Sequence, residues 1–402
     1  MNFNTIKNID YWLGRMICRV FTFFSRLARV VKPYEYKAPK KIVFIKLIEQ
    51  GATVLAYSSI KLAIGKVGKE NVYFLVFKEN RPILDIIGIL PPENIIEIDH
   101  HSLILFFSTA AKALVRIRKI GIDSTADMEF FSRAAAIIAY MSGARNRAGL
   151  HRYNSEQPYR GDLMTHRIQY NPYLHCSTSY YLLVESLFSA PVETPLLKIP
   201  VNESVIETPV FKTNSGTTEK LETAIAQVVK SPFSKIVLLN PNASDMLPLR
   251  KWQQANFIEL ARKILAHSND SVLVITGAKG EAAPADLLCK EINSDRIVNM
   301  AGKTSLAELM HLYALSDLLI TNDSGPAHFA SMTNTNIIVL FGPETPQLFS
   351  PLSARTHVIW KKLACSPCVN VFNHRLSPCT NNVCMQRITV EEVFEKVKTC
   401  LE

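Results

Sequence analysis

The sequence predicts an α/β fold with two Rossmann-like, doubly wound domains, each built on a parallel sheet. Short apolar runs alternate with amphipathic helical segments along most of the chain, which is typical of parallel strands joined by crossover helices. A segment rich in Pro, Thr, Ser and Glu interrupts this alternation once, between residues 190 and 234. The 402 residues, of which 48% are apolar, suffice for two hydrophobic cores.

The first alternation starts at the run K-I-V-F-I-K, which predicts a buried strand over 41–46. The further elements are predicted from the same patterns: strands at 72–77, 95–98 and about 122–128, and helices at 52–67, 103–120, 132–141 and 179–188.

The second alternation begins after the polar segment. Its strands are predicted at 236–239, 272–276, 297–299, 318–321 and 337–341, and its helices at 253–266, 285–292, 306–314 and 326–332. The expected organisation is therefore an N-terminal arm (1–40), a first domain (41–190), a linker (191–234) and a second domain (235–402). We expect the two domains to face a cleft, with ligands beyond the carboxyl ends of the strands.

Positive charge is concentrated at the N-terminus. The chain has 45 Lys and Arg against 35 Asp and Glu, a net charge of +10. Residues 1–41 hold nine of these cations against Asp10 and Glu35, which gives this segment +7 and leaves +3 for the other 361 residues. A nucleic-acid-binding face needs cations spread over a folded surface, so this distribution argues against nucleic acid as a partner.

The same segment has helical periodicity between residues 9 and 31. Cations such as Arg15 and Arg19 follow one face, and apolar side chains follow another: Leu13, Met16, Val20, Phe23, Phe24, Leu27 and Val31. The pattern predicts a basic amphipathic helix, which can lie in the interface of an anionic membrane. The alternative is a helix docked on the protein's own core or on a partner.

No apolar run is long enough for a membrane-spanning helix; the longest, 103–111, is too short. Arg15, Arg19 and Arg26 interrupt the stretch that a secretory signal would keep apolar. We therefore expect a cytoplasmic protein that associates peripherally with the inner face of the plasma membrane.

The segment most informative for chemistry is T-N-D-S-G-P-A-H at 321–328, which follows a predicted strand and opens a predicted helix. A helix start offers free N–H groups and the positive end of a dipole. Ser324, Gly325 and His328 can therefore cradle a diphosphate. The alternative is an ordinary helix cap made by Asp323 or Ser324.

Two more loops reach the same edge of the predicted sheet. The strand 236–239 leads to L-R-K-W, which places Arg250 and Lys251 on a loop. The strand 272–276 leads to G-A-K-G-E, where the Glu281 carboxylate can accept hydrogen bonds from ribose hydroxyls. Because the carboxyl ends of parallel strands lie at one edge, phosphate donors, cations and a ribose acceptor would converge there.

Taken in order, these motifs resemble those of glycosyltransferase family 9, the ADP-heptose:lipopolysaccharide heptosyltransferases and their relatives. The resemblance covers roughly residues 41–400. Its elements are I-K-L-I-E-Q-G-A-T-V-L-A, S-G-A-R-N-R-A-G-L, L-R-K-W, I-T-G-A-K-G-E, A-G-K-T-S-L-A-E-L, T-N-D-S-G-P-A-H, L-F-G-P-E-T-P, and C-S-P-C followed by C-M and I-T-V-E-E-V. Each piece alone is weak, but the combination is specific.

The resemblance implies a GT-B architecture, with the donor nucleotide sugar in the C-terminal domain and the acceptor toward the N-terminal one. It also implies inversion at the anomeric carbon and no catalytic metal or other cofactor. Ser324, Gly325 and His328 would hold the donor diphosphate, and Arg250 would take the family's basic phosphate-binding position. Asp323 falls on the family's acidic position in the same loop.

One departure concerns the catalytic base. An inverting displacement needs a base for the acceptor hydroxyl proton, and the family typically has an Asp in the loop after the first strand. This chain has Ala52 at that position, and alanine cannot accept a proton. Glu49 in the same loop is the first replacement to consider, followed by Glu129 and then Asp127. Alternatively these are solvated or structural carboxylates, or the chain no longer transfers sugar.

Four of the eight cysteines fall within twenty residues: Cys365, Cys368, Cys379 and Cys384. Four thiolates at this spacing can bind a structural Zn²⁺, and His374 could replace one of them. The alternative is reduced thiols in a loop.

The sequence thus predicts a glycosyltransferase that moves a sugar, expected to be heptose from ADP-heptose, to a lipid-linked saccharide such as a lipopolysaccharide core. The alternatives are a transferase for another nucleotide sugar and a non-catalytic nucleotide-sugar-binding protein that has lost the base. A lipid acceptor would account for the arm, because attachment concentrates an enzyme near a membrane-confined substrate. The sequence does not determine the oligomeric state.

Overall fold

The computed structural model describes residues 3–151, 153, 159–229, 231–243, 247–373 and 376–402. The chain divides into two compact units, Met1–Glu207 and Thr208–Glu402. Each unit contains one six-stranded sheet, and every neighbouring pair of strands is parallel. The predicted α/β class is confirmed.

The first sheet has the strand order β3-β2-β1-β4-β5-β6. Its strands are β1 (Ile42–Ile45), β2 (Val72–Phe77), β3 (Ile95–Ile98), β4 (Ser124–Asp127), β5 (Asn146–His151) and β6 (His166–Gln169). Every residue of β1, β2 and β4 is buried, as expected for strands with helices on both faces.

The helices of this unit are α1 (Phe3–Val31), α2 (Gln50–Leu55), α3 (Tyr57–Val67), α4 (Arg81–Ile87), α5 (Leu103–Ile120), α6 (Arg133–Met141) and α7 (Cys176–Leu187). Helices α1, α5 and α6 share one core cluster with β1, β2 and β3; its members include Cys18, Val43, Leu75, Ile117 and Ala136. These three helices therefore lie on the same face of the sheet.

Helix α1 packs on α6 through its small and polar side, which includes Cys18, Thr22 and Ser25, all less than 8% exposed. Two glycines permit the close packing of α1, Gly14 against α6 and Gly161 in the segment between β5 and β6. A Cβ on Gly14 would lie 2.9 Å from Cβ of Arg133, and one on Gly161, at φ +76°, would lie 2.5 Å from Oγ1 of Thr22.

The large apolar side chains of α1 are exposed, with exposed fractions from 47% for Leu13 to 81% for Val31. The set is Trp12, Leu13, Met16, Val20, Phe23, Phe24, Leu27, Val30 and Val31. Helix α1 is therefore docked on its own unit, which was the alternative to the membrane interface. The side that docks is opposite to its apolar face. Among the described residues, no helix is long and apolar enough to cross a membrane.

The second sheet has the strand order β12-β11-β10-β7-β8-β9. Its strands are β7 (Lys235–Asn240), β8 (Ser271–Ile275), β9 (Ile297–Asn299), β10 (Leu318–Asn322), β11 (Asn336–Phe341) and β12 (Thr356–Trp360). The helices are α8 (Ser215–Val228), α9 (Gln254–His267), α10 (Ala282–Ile292), α11 (Leu306–Leu315), α12 (Gly325–Ala330), α13 (Pro346–Phe349), α14 (Val383–Gln386) and α15 (Val390–Leu401).

The segment 191–234, expected as a linker, differs from that expectation. It contains α8, which packs on α11 and buries Leu221 and Ile225. The boundary between the units falls between Glu207 and Thr208. Two apolar side chains one turn apart are enough to dock a helix whose overall composition is polar.

Candidate active site

Four neighbouring strands of the second sheet, β11, β10, β7 and β8, are followed by loops that carry the predicted donor-site residues. Asn322, the last residue of β10, ties two of these loops together. Its amide donates to the carbonyls of Pro241 and Asn242 at 3.1 Å, and its side-chain oxygen accepts from the N–H of Trp252 at 3.0 Å. The loop after β7 is therefore fixed against the end of β10.

Arg250 lies on this fixed loop, two residues before Trp252, whose side chain is buried. Its Nε lies 3.3 Å from Oδ2 of Asp323, and its Nη2 lies 3.0 Å from Oε2 of Glu344. The side chains are 16% exposed for Arg250, 6% for Asp323 and 2% for Glu344. One guanidinium thus joins two buried carboxyl groups, which follow the adjacent strands β10 and β11.

Burial disfavours the ionised form of both carboxyl groups. It raises the pKa of Glu344 to about 8, an effect that Arg250 only partly offsets and that Asp323 adds to. Burial likewise raises the pKa of Asp323, against the opposing effect of Arg250. With both groups ionised the cluster has one net negative charge, and with Glu344 protonated it is neutral. The neutral form is the better neighbour for an anionic ligand.

The predicted cradle residues lie at the start of α12. Ser324 precedes this helix but makes no side-chain cap hydrogen bond; its hydroxyl donates to the carbonyl of Asn322 at 3.1 Å. The Asp323 carboxylate is directed to Arg250 instead of the helix. The side chains of Ser324 and Asp323 therefore do not form the ordinary helix cap that was the alternative. His328 is buried within the same helix.

Gly325 begins α12 against an aromatic ring: a Cβ at this position would lie 3.2 Å from the ring of Phe329. Glu281 lies after β8, where its Oε2 accepts from the N–H of Ala278 at 2.6 Å. This bond fixes the carboxylate beside Gly277, where an added Cβ would come within 2.8 Å of the same oxygen. The Glu281 side chain remains half-exposed at the sheet edge.

In the first unit, Glu129 and Lys46 form the best-satisfied charged group at the carboxyl ends of β1 and β4. Oε1 of Glu129 accepts from the N–H groups of Leu47 and Ile48 at 2.7 and 3.0 Å, and Oε2 lies 3.2 Å from Nζ of Lys46. The Lys46 side chain is completely buried. Glu129 thus clamps the loop after β1 to the loop after β4.

Asp127, the last residue of β4, is also fully buried, and Nη1 of Arg160 lies 2.5 Å from its Oδ2. Its other oxygen accepts from the N–H of Glu129 at 3.0 Å. Burial raises the pKa of Asp127 to about 6, against the opposing charge of Arg160. Sequence reasoning did not find Arg160, because it lies in an irregular segment with no pattern to mark it.

Glu49 is the most accessible of the three carboxylates proposed as base, with a side chain 16% exposed. Its Oε2 lies 3.2 Å from Nζ of Lys46. Glu49 precedes α2 with φ 70°, and Phe131, on the loop after β4, has φ 58°. Non-glycine residues in the left-handed region are strained, and such strain concentrates at functional sites.

The comparison with protein families assigns the chain. The model of glycosyltransferase family 9 (heptosyltransferase) matches residues 128–375, which is more than half of the chain. The chain belongs to glycosyltransferase family 9. The match includes Glu129, Arg250, Glu281, Asp323 and the start of α12.

Curated relatives of this family 9 chain are heptosyltransferases. It is 30% identical to lipooligosaccharide heptosyltransferase 2 of Campylobacter jejuni serotype O:2 over 175 residues. This aligned stretch covers 42% of this chain and 51% of the relative. It is 27% identical over 267 residues to the protein of the same name from serotype O:6, or 65% and 73% of the two chains. The chain thus spans about half the length of the first of these relatives.

Solved structures share the fold of the family 9 chain. The structure of Escherichia coli ADP-heptose lipopolysaccharide heptosyltransferase II matches with a TM-score of 0.65 and 17% identity, over 90% of this chain and 98% of that one. A glycosyltransferase family 9 structure from Veillonella parvula matches with a TM-score of 0.68 and 16% identity, over 90% and 97%. The predicted GT-B fold is confirmed.

Glu344 is the residue of the cluster to which sequence reasoning gave no role. It stands in the quoted element L-F-G-P-E-T-P, directly after a predicted strand, and that position was the available signal. Glu344 and Arg250 are 94 positions apart in the sequence. Their pairing follows from the order of the strands in the sheet, which the sequence motifs do not give.

The cysteine segment shows no metal-binding arrangement in the part of the chain that the structure describes, where no three His, Cys, Asp or Glu side chains are grouped to hold an ion. Cys365 and Cys379 are exposed and Cys384 is buried. Burial raises the pKa of Cys384, and the neighbouring thiols Cys368, Cys379 and Cys365 add to the effect. These thiols therefore lie near one another without the geometry expected for zinc; His374 lies outside the described residues.

Proposed function

We propose that this family 9 chain is an inverting, metal-independent glycosyltransferase that moves heptose from ADP-heptose to a lipid-linked saccharide of the lipopolysaccharide core type. The observation that carries the proposal is the cluster of Arg250, Asp323 and Glu344 beside Ser324 and His328. The names of the relatives support the sugar and the acceptor class, since they are lipopolysaccharide and lipooligosaccharide heptosyltransferases.

Departure of ADP leaves negative charge on the diphosphate. Fixed donors and cations can stabilise such charge without a metal ion. Arg250 supplies the cation, and Ser324 and His328 supply donors from the adjacent strand end. Glu281, fixed by the N–H of Ala278, accepts from the ribose hydroxyls.

Glu49 is the base of this proposal. Glu49 and Glu129 share Lys46, but the carboxylate of Glu129 also accepts from two backbone N–H groups, and Asp127 is buried against Arg160. Glu49 keeps an exposed part of its side chain and lies in the same loop as Ala52. It therefore accepts the proton of the acceptor hydroxyl while that oxygen attacks the anomeric carbon and ADP leaves.

Turnover tests this function. Purified full-length protein with ADP-heptose and a heptose-deficient lipopolysaccharide should release ADP, and a chelator should leave the rate unchanged. Calorimetric titration with ADP, UDP and GDP separates the heptose donor from another nucleotide sugar. The proposal fails if the folded protein binds a donor but transfers its sugar to no acceptor.

The exposed apolar face of α1 is the membrane-contacting surface of this enzyme, at the inner face of the plasma membrane. Large apolar side chains such as Trp12 and Phe23 are more than half exposed, and Arg19 and Arg26 lie exposed on the same helix. Such a helix lies in the interface with its apolar side in the acyl boundary and its cations near anionic headgroups. Binding to anionic vesicles that weakens with salt tests this assignment.

A second function is favoured by one observation: Ala52 replaces the family's Asp, and two of the three remaining carboxylates are held by structural bonds. A chain without a base would bind the nucleotide sugar and transfer nothing. Calorimetry with ADP-heptose alongside the turnover assay separates the two, because only the binding protein combines tight donor binding with no ADP release.

A further inference from the structure

A polar cavity of about 260 Å³ lies in the first unit. It is bordered by the end of α1, the start of β6 and the loop after α7. Arg29, Arg167, Tyr34 and Thr194 are among its lining residues. The carboxylates at the ends of β1 and β4 are not among its lining residues, so the cavity calls for an explanation of its own.

The cavity wall carries more positive than negative charge. Arg26 Nε and Arg29 Nη1 lie 3.7 and 3.6 Å from Oδ2 of Asp162, and Arg167 contacts the other oxygen of the same carboxylate. Three guanidiniums thus share one carboxylate, an excess of two positive charges, and two of the three, Arg29 and Arg167, line the cavity. The side chains of Arg29 and Arg167 are 32% and 30% exposed, so both can still meet a ligand.

A fourth guanidinium, that of Arg147, is not part of the cavity lining but is close enough to feel the charge of Arg29. Arg147 donates to the carbonyl of Leu163 at 2.7 Å. Burial and, next, the charge of Arg29 lower the pKa of Arg147 to about 10. The acidic lining residue Glu193 lies 3.9 Å from Lys198, so its charge has a partner of its own. An anion in the cavity would relieve the repulsion among the arginines.

Exposed apolar side chains are next or close in sequence to several of the lining residues. Val30 and Val31, on the last turn of α1, are 80% and 81% exposed, and Val192, between two lining residues of the loop after α7, is 89% exposed. If these side chains enter the acyl boundary, the arginines beside them lie at the depth of the lipid phosphates.

We propose that this arginine cavity binds the phosphate of an anionic phospholipid headgroup at the membrane surface. The inference rests on the proposed membrane contact of α1 and adds a specific headgroup site to it. Guanidinium groups suit this ligand because their donors match phosphate oxygens in pairs. The site would fix the depth and orientation of α1 in the bilayer. The apolar face alone cannot do this, because burial of apolar surface is not directional.

Vesicle flotation tests the site with the full-length protein, using phosphatidylcholine alone and an equal mixture of phosphatidylcholine and phosphatidylglycerol. Thr194→Trp fills the opening without changing charge, and Thr213→Trp, on an exposed residue of the second unit, is its matched control. Thr194→Trp and Arg167→Gln should each weaken binding to the mixed vesicles by about fivefold. Thr213→Trp should bind like the wild type.

A variant that should strengthen vesicle binding controls for misfolding. Asp162→Asn removes the carboxylate that competes with the ligand and should strengthen binding to the mixed vesicles by about fivefold, which an unfolded protein cannot do. Calorimetry with inorganic phosphate distinguishes the source of the phosphate, because a headgroup site should bind free phosphate far more weakly than it binds the vesicles.

Three results would overturn the site: Thr194→Trp and Arg167→Gln binding like the wild type, Asp162→Asn binding no better, or inorganic phosphate binding as tightly as the vesicles. If the wild type binds neither vesicle, the membrane assignment of α1 fails and the headgroup site fails with it. If the wild type binds and the variants match it, only the headgroup site fails.

Discussion

Oε2 of Glu344 lies 3.0 Å from Nη2 of Arg250, and the Glu344 side chain is only 2% exposed. The same guanidinium faces Asp323 at 3.3 Å. The charge of this cluster therefore depends on one proton, because Arg250 can balance only one of the two carboxylates. A ligand that brings further negative charge favours the protonated state of Glu344.

Binding of ADP should depend on pH through Glu344. Its pKa is raised to about 8, so the cluster is neutral below that pH and negative above it. The affinity for ADP should fall by up to about tenfold per pH unit above this value, where the ADP phosphates are already ionised. Glu344→Gln imitates the protonated form and should keep its affinity constant over the same range.

Isothermal titration calorimetry from about pH 7.5 to about pH 9.5 checks this. Glu259→Gln removes one carboxylate from an exposed position on α9 and should retain the pH dependence of the wild type. An equal pH dependence in the wild type and Glu344→Gln would show that Glu344 is not the titrating group.

Glu49→Gln should abolish turnover while donor binding is retained. The amide keeps the size of the side chain but cannot accept the proton of the acceptor hydroxyl, and loss of general base catalysis lowers kcat by about 10²–10⁴-fold. Steady-state ADP release and calorimetry with ADP-heptose measure the two properties separately. Glu49→Asp should recover part of the rate; full activity of Glu49→Gln would refute the assignment.

Lys46→Met should destabilise the first unit. The substitution leaves Glu129 buried without its cation, and breaking a buried pair from one side costs about 3–5 kcal/mol. Urea unfolding followed by circular dichroism measures the change. Lys61→Met removes an exposed ion pair with Glu207 and should cost less than about 1 kcal/mol. Equal effects of the two variants would contradict the role given to Lys46.

Two phenylalanines of α1 should respond oppositely to replacement by serine. Phe23 is 66% exposed, so Phe23→Ser should leave the melting temperature almost unchanged but weaken vesicle binding about tenfold or more. Phe21 packs on Tyr140 with ring centroids 5.2 Å apart, so Phe21→Ser should lower the melting temperature. Vesicle binding by Phe23→Ser at the wild-type level would refute the membrane role of this face.

The sequence predicts the buried strands well because burial on both faces requires continuous apolar runs. The runs of β1, β2, β10 and β11 are of this kind. Strand β5 reads N-R-A-G-L-H and strand β6 reads H-R-I-Q, and neither contains such a run. These strands form because pairing with a neighbour satisfies their backbone, which no local pattern encodes.

Periodicity predicts the α1 helix but not the side by which it docks. A helix that docks on its own core would be expected to use its apolar stripe, yet small residues such as Gly14 and Cys18 let the backbone of α1 approach α6 more closely. In the same way, the motifs place Arg250 and Asp323 at strand ends, whereas Glu344 and Arg160 meet their partners only through the order of the strands. Contacts distant in sequence decide the protonation and pairing of the site, and they require the structure.

We propose above that this chain transfers a sugar from a nucleotide donor to a lipid-linked acceptor. The most direct measurement is ADP release from ADP-heptose by the full-length protein, with and without heptose-deficient lipopolysaccharide. The wild-type protein should release ADP only when the acceptor is present, and Glu49→Gln should release none. Folded protein that binds ADP-heptose but releases no ADP with the acceptor present would contradict this proposal.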